Sequence, residues 1–129
     1  MFGKKKTPAN PAKPISPTMH GAIDYGFFGI MSAAPSLLGL KGSAEVLPYL
    51  FGGAQGVLNA LTDQPLAVKR IVPFRTHGDI ERWSGPAYVL LPILTGALKQ
   101  PRARIFFGGM LVILVTVYQL TDWDRSPVS

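Results

Sequence analysis

The sequence predicts an all-α integral membrane protein, a four-helix bundle built from two helical hairpins that are parallel repeats of each other. Two observations carry this prediction. Uncharged stretches of 16 or 17 residues lie between Asp24 and Lys41, Glu45 and Asp63, Arg82 and Lys99, and Arg104 and Asp122. In addition, the chain matches itself when it is shifted by 57 residues.

The uncharged stretches have the length that a membrane-spanning helix needs. A helix of that length rises about 25 Å, and with its flanking residues it crosses a hydrocarbon core of roughly 30 Å. A soluble bundle would require a polar face on every helix, which these stretches lack. They also lack the polar–apolar alternation of strands. We therefore expect membrane-spanning helices at roughly residues 20–40, 44–62, 78–98 and 103–121.

Residues 1–18 are predicted to form an extended, basic, proline-rich arm. Prolines recur there at every third position, at Pro8, Pro11, Pro14 and Pro17. This period matches a polyproline II helix, which has three residues per turn. A disordered basic tail is the alternative interpretation of the same composition. If the chain belongs to an assembly, we expect the arm to run along a neighbouring chain.

Prolines and glycines inside the predicted helices suggest how the helices bend and pack. Pro35 and Pro92 each remove one backbone hydrogen bond, so they predict kinks at matching depths of the first and third helices. Gly52 and Gly56 form a small-residue pattern that favours close helix packing. We expect all four residues to have structural roles.

Asp63 and Asp122 lie at the predicted ends of the second and fourth helices. A carboxylate at a helix C-terminus opposes the helix dipole, so each is expected to lie near a cationic group. The predicted hairpins return these ends to the same side as His20 and His77. The simplest hypothesis is a His–Asp clasp within each hairpin, with the basic residues of the middle loop as further candidates.

Two histidine–carboxylate pairs stand at corresponding positions. His20 precedes Asp24 by four residues, and His77 precedes Glu81 by four residues, so each pair shares one helix face. The carboxylates suit the positive N-terminal end of a helix, which is a structural interpretation. Ionisable residues at membrane depth are also candidate functional groups. The two histidines are therefore candidate ligands of a haem or chlorophyll-type metal, or members of a proton path.

The hairpins are predicted over residues 19–63 and 77–122, joined by a linker of residues 64–76 and followed by a tail of residues 123–129. Nine Lys and Arg residues lie on the side of the N-terminus, linker and C-terminus, and four lie on the other side. The positive-inside rule therefore predicts that both termini are cytoplasmic.

The internal match is clearest where residues 20–24 align with residues 77–81. Each copy contains two helices, so both copies enter the membrane in the same direction. Their relation is then a pseudo-twofold axis along the membrane normal.

Residues 20–24, 34–39, 61–63 and 68–73, together with the second copy from His77, carry a resemblance to a known family. On these segments the chain resembles the SPW-repeat family of small bacterial membrane proteins. The tripeptide that names the family is not intact, because residues 34–36 and 91–93 keep only its proline. The resemblance implies a multi-spanning protein of the bacterial inner membrane and no specific activity.

No catalytic set is predicted, and no metal-ligand cluster beyond the two histidines. The absence of cysteine excludes a thiolate site. We expect a non-catalytic structural or accessory subunit of a larger membrane protein complex, with lipid and other membrane subunits as partners and no nucleic acid. One alternative is a haem-, chlorophyll- or quinone-binding protein that uses His20 and His77. A minimal transporter is another. The identity of any cofactor is not indicated.

Overall fold

The computed structural model describes residues 8–127, and over this range the protein is all-helical. Its helices are α1 (Pro17–Leu37), α2 (Ser43–Ala60), α3 (Phe74–Leu94) and α4 (Pro101–Leu120), with a short 3₁₀ turn at Ala97–Lys99. The predicted fold class is thus confirmed as all-α with four helices. Lys4, Lys5 and Lys6 of the predicted arm lie outside the described residues.

The first and third helices begin and end three or four residues earlier than the sequence predicts. Pro17 occupies the first turn of α1, and the Ser16 side chain caps the helix by accepting a hydrogen bond from the Met19 N–H. Gly39 and Gly96, with φ of 65° and 78°, follow the ends of α1 and α3. Glycine tolerates this left-handed conformation, which stops a helix.

The prolines inside α1 and α3 consequently lie near helix ends. Pro35 and Pro92 are each two residues from the last residue of their helix, and both are fully buried. The carbonyl groups that they free, at Met31 and Tyr88, therefore lie in the last two turns of the helices. These prolines help to mark where the helices stop.

Helices α1 and α2 form the most closely packed pair. A Cβ atom built on Gly52 would lie 2.5 Å from Met31 Cβ, and one on Gly56 would lie 2.9 Å from Phe28 Cδ2. The glycine pattern therefore brings the backbone of α2 close to α1, as predicted. Gly108, at the corresponding place in α4, has nothing within 4 Å of such an atom. The second hairpin is more open than the first.

Two short backbone bridges tie the helix ends together across the molecule. Ile15 pairs in parallel with Thr121, and Val72 pairs in parallel with Thr62. In the first bridge the Ile15 N–H donates to Leu120 O at 3.1 Å. The segment before α1 thus pairs with the segment after α4, and the segment before α3 pairs with the segment after α2.

The described part of the N-terminal arm, residues 8–16, is non-helical as predicted, but it lies on its own chain. The Asn10 N–H donates to Asp122 Oδ2 at 3.1 Å, and Lys13 Nζ donates to Gln119 O at 2.6 Å. Ile15 of the arm precedes α1 and pairs with Thr121, just as Val72 of the linker precedes α3 and pairs with Thr62. The arm and the linker therefore have corresponding positions in the two hairpins. The described part of the arm therefore belongs to the fold of its own chain.

Among the described helices, α4 alone is long and apolar enough to cross a membrane by length and composition. Charged side chains inside α1 and α3, such as Asp24 and Glu81, interrupt the apolar character of those helices. A single apolar helix is a weak indication of membrane association, and the four predicted spans stay a prediction.

Candidate functional site: a buried histidine–carboxylate cluster

The first eight residues of α1 and of α3 contribute four titratable side chains that come together. His20 Nε2 lies 3.1 Å from Asp24 Oδ2 and 3.1 Å from Glu81 Oε1. His77 Nε2 lies 3.0 Å from Asp24 Oδ2 and 2.9 Å from Glu81 Oε1. Nitrogen and oxygen atoms therefore alternate around a closed ring. Each histidine contacts the carboxylate of its own helix and that of the other helix equally closely.

The cluster is closed to solvent on nearly every side. His20 and His77 are 0% exposed and Asp24 is 3% exposed. The Glu81 side chain is 14% exposed, which makes it the most accessible member. Charges at such depth require compensation, because desolvation of an unpaired charge is strongly unfavourable.

Two threonines hold the other nitrogen of each imidazole. His20 Nδ1 lies 2.8 Å from Thr121 Oγ1, and His77 Nδ1 lies 2.6 Å from Thr62 Oγ1. Each threonine follows the even-numbered helix of the opposite hairpin, so each contact joins the two halves of the molecule. These are the same threonines that form the two backbone bridges.

The threonines also determine which imidazole nitrogen carries a hydrogen. Thr62 Oγ1 lies 2.6 Å from Leu58 O, and Thr121 Oγ1 lies 2.5 Å from Val117 O. A hydroxyl group has one hydrogen, so both of its short contacts are favourable only if it donates to the carbonyl and accepts from Nδ1–H. Both Nε2 atoms then face the carboxylates.

This tautomer leaves a charge to be balanced. Two imidazoles protonated only at Nδ1, together with the carboxylates of Asp24 and Glu81, carry a net charge of −2. Electroneutrality in the buried site requires two additional protons on the Nε2 atoms or one divalent cation among the four donors. The four donor atoms lie within 4.8 Å of one another, which satisfies the spacing of a metal-ligand set.

Small residues allow the cluster to be covered from the helix ends. A Cβ atom on Gly21 would overlap Gln64 Oε1, and one on Gly78 would lie 2.7 Å from Trp123 Cδ2. Gln64 and Trp123 each stand two residues after a bridging threonine. The Trp123 ring packs on His20 with 4.6 Å between ring centroids. These side chains exclude water from the cluster.

Two polar residues of α2 support the cluster from the side. Gln55 Nε2 donates to Glu81 Oε1 at 2.6 Å, and Asn59 Nδ2 donates to Gly21 O at 2.9 Å. The two residues are four apart in the sequence, which places them on one face of α2 and predicts hydrogen bonds to neighbouring helices. Both hydrogen bonds are observed, to α3 and to α1.

The observed contacts of the histidines differ from the predicted clasps in two ways. The partner is a threonine rather than the aspartate that follows it, and it comes from the other hairpin. Asp63 pairs with a base of the middle loop, because Arg70 Nε donates to Asp63 Oδ1 at 2.6 Å. Asp122 accepts its hydrogen bond from a backbone N–H. The histidines instead bind the threonines that precede these aspartates. The expectation that Asp63 lies near a base of the middle loop is confirmed by this ion pair. The imidazole Nδ1 atoms make His–Thr contacts between the hairpins rather than His–Asp clasps within a hairpin.

The spacing of residues in the sequence pairs the members of the cluster correctly but does not show that the two pairs come together. The hydrogen-bond acceptors that Thr62 and Thr121 provide for the imidazoles were missed, as was the covering role of Trp123. A signal for the threonines existed, because residues 61–63 and 120–122 share the tripeptide Leu-Thr-Asp. The expectation of no metal-ligand cluster beyond the histidines is revised, since the two carboxylates complete a four-donor set.

An apolar cleft of about 930 Å³ lies beside the cluster, between α2, α3 and α4. Its walls include Phe51, Tyr88, Leu114 and Tyr118. Of the four cluster residues, Glu81 is the one that lines the cleft. The cleft reflects the open packing of the second hairpin, and it connects the most accessible cluster residue with the surroundings.

The fold and the site define a class of protein, a small all-helical chain that encloses a histidine–carboxylate cluster between its first and third helices. Comparison of the chain with protein-family models, curated proteins and solved structures finds no match. The resemblance to the SPW-repeat family therefore stays a prediction.

Proposed function

We propose that the chain is an integral membrane protein of the bacterial inner membrane and serves as a non-catalytic accessory subunit of a larger membrane protein complex. The observation that carries this proposal is the distribution of polar and apolar side chains. Histidines, carboxylates, amides and threonine hydroxyls are buried. Large apolar side chains are exposed on every helix, as shown by Leu37, Val57, Leu94 and Ile105. Water would favour exposed polar side chains and buried apolar ones, whereas lipid or partner helices would cover the exposed apolar side chains.

The membrane part of the proposal is tested by labelling single cysteines. The natural chain has no cysteine, so each introduced thiol is unique. Lys41→Cys and Lys99→Cys are expected to react with a membrane-impermeant maleimide in spheroplasts, because the proposed orientation places them outside the cytoplasm. Lys69→Cys, in the linker, is expected to react only after the membrane is opened. All three positions are exposed, so burial does not bias the comparison. Recovery of the protein in the soluble fraction, or equal labelling at the three positions in spheroplasts, would contradict the topology.

The subunit part of the proposal rests on the cleft. We infer that a transmembrane helix of a partner seats between α3 and α4, where the second hairpin leaves an apolar wall uncovered. Such a helix would bury α4, which is the most apolar helix of the described chain. Packing of side chains and small residues is the main source of association between helices in a membrane.

A substitution that fills the cleft tests this association. Leu114 lines the cleft, whereas Val112 is 66% exposed and does not line it. We expect Leu114→Trp to release the chain from its complex after extraction in mild detergent, because the larger ring occupies the seat of the partner. Val112→Trp, a matched change on the same helix, is expected to leave the complex intact. Size-exclusion chromatography of natively expressed protein measures both. Migration of the unsubstituted chain as an isolated monomer would contradict the proposal.

The cleft also favours a second candidate, the binding of a quinone-type amphiphile. Its volume lies in the range of roughly 300–1,000 Å³ that is usual for ligand pockets. Gln55 and Glu81 supply polar groups beside aromatic walls. This differs from the predicted use of His20 and His77, which do not line the cleft. A macrocycle between the histidines would require breaking their contacts with both carboxylates. Native mass spectrometry separates the two candidates, since Leu114→Trp would release a small molecule rather than a protein.

A further inference from the structure

We propose that His20, Asp24, His77 and Glu81 bind one divalent first-row transition metal ion through both Nε2 atoms, Asp24 Oδ2 and Glu81 Oε1. The inference is independent of the accessory-subunit role, because it concerns a site enclosed within a single chain.

Hydrogen bonds alone satisfy the two carboxylates unevenly. Glu81 Oε1 lies within hydrogen-bond geometry of His20 Nε2, His77 Nε2 and Gln55 Nε2 at 3.1, 2.9 and 2.6 Å. Asp24 Oδ2 lies 3.1 and 3.0 Å from the same two imidazole nitrogens, but this buried atom accepts no hydrogen bond of suitable geometry from them or from any other described residue. Two imidazolium groups would therefore direct their N–H bonds at Glu81 and would interact with Asp24 through charge alone, which leaves a buried acceptor without a hydrogen bond. A cation among the four donors supplies the missing partner of Asp24.

The ring has the dimensions of a coordination site. Its four edges, which join each Nε2 to Asp24 Oδ2 and to Glu81 Oε1, measure 2.9 to 3.1 Å. A square with such edges has its centre roughly 2.1 Å from each corner, the usual length of zinc bonds to imidazole nitrogen and carboxylate oxygen, and a tetrahedral ion requires the edges to lengthen to about 3.4 Å. Alternation of nitrogen and oxygen keeps the two carboxylates apart, which reduces their mutual repulsion.

The surroundings supply what a metal site requires beyond its ligands. Metal-binding histidines usually donate their second ring N–H to an oxygen acceptor, which fixes the tautomer and the ring orientation. Thr62 and Thr121 accept those hydrogen bonds, and each is anchored by its own bond to a helix carbonyl. Glu81 connects the ring with the cleft, which provides a route for the ion.

The donor set and the charge select the class of ion. Two neutral imidazoles and two carboxylates carry a charge of −2, which one divalent ion neutralises without any residual buried charge. Imidazole and carboxylate together suit Zn²⁺, Fe²⁺, Mn²⁺ and Co²⁺, and the absence of sulfur ligands disfavours Cu⁺. The ion would join α1 to α3 and so hold the two hairpins together.

The test uses the full-length chain, purified in detergent with its affinity tag removed and treated with a chelator. Addition of Co²⁺ is expected to give a saturable visible absorption band at one ion per chain, and Zn²⁺ is expected to displace it. Zn²⁺ should also raise the temperature of unfolding, because an ion that binds only the folded state stabilises it. Failure of the unsubstituted chain to bind one Co²⁺ or Zn²⁺ would overturn the proposal.

Matched variants distinguish this site from adventitious binding. Asp24→Asn removes a ligand charge with little change of shape and is expected to lower Co²⁺ affinity by at least about 100-fold. Thr62→Val removes only the acceptor for His77 Nδ1–H and is expected to lower it by about 10- to 100-fold. The controls Asp79→Asn and Thr116→Val lie at exposed helix positions and should bind as the unsubstituted chain does. Equal affinity in all four variants, with helicity confirmed by circular dichroism, would show that the ion binds elsewhere and would reject the site.

Discussion

Replacement of Asp24 by alanine is expected to destabilise the protein by about 3–5 kcal/mol, the usual effect of removing one partner from a buried charge cluster. Asp24 is 3% exposed and lies between the two imidazoles. Without it, His20 and His77 share a single carboxylate, and the polar groups that remain cannot reach water. The measurement is the free energy of unfolding in detergent in the presence of a chelator, so that it reports the side-chain contacts alone.

The matched control for this change is Asp79→Ala. Asp79 also lies in the first half of a helix, but it is exposed. Surface substitutions of this kind usually change stability by no more than about 0.5 kcal/mol. Equal unfolding free energies for Asp24→Ala and Asp79→Ala would mean that the cluster does not contribute to the stability of the fold.

Replacement of Trp123 by alanine is expected to cost about 3 kcal/mol, the lower end of the range for tryptophan in a protein core. The ring covers His20, packs on Phe74 with 4.9 Å between centroids, and donates from Nε1 to Tyr118 O at 3.1 Å. Its loss leaves a cavity above Gly78 and admits water to the histidines. The unfolding free energy in detergent is again the measured quantity.

Trp83 provides the control, because the chain has two tryptophans and this one is 75% exposed. Trp83→Ala is expected to leave the unfolding free energy nearly unchanged, since the side chain has few neighbours within the chain. The pair is also informative spectroscopically, because each variant retains one tryptophan. If Trp83→Ala proved the more destabilising change, Trp123 would not be the cover of the cluster.

The helices of this protein follow from local features of the chain. Spacing of charged residues identified the four apolar stretches, and Gly39 and Gly96 lie beside the ends of α1 and α3. The observed helix α1 begins three residues before its predicted start, because Ser16 caps the helix and Pro17 occupies its first turn. Helix formation is mainly decided within a few turns, so it is accessible from the sequence.

The spacing of residues along the chain also identified the two histidine–carboxylate pairs that make up the cluster. A separation of four residues places His20 with Asp24 and His77 with Glu81 on a helix face, whatever the rest of the fold does. The same rule placed Gln55 and Asn59 on one face of α2. These assignments use the period of the helix alone, and each of them is observed in the structure.

The relation between the halves was decided by tertiary structure. His20 and His77 are 57 residues apart in the chain, and no local rule states how α1 and α3 rotate toward each other. The clasp was predicted within each hairpin, yet each imidazole binds a threonine from the other hairpin. By itself, the sequence determined four helices and two histidine–carboxylate pairs, because helical geometry acts over short distances. Only the packing of the helices decided that these pairs form one closed ring, because that contact depends on the orientation of whole helices.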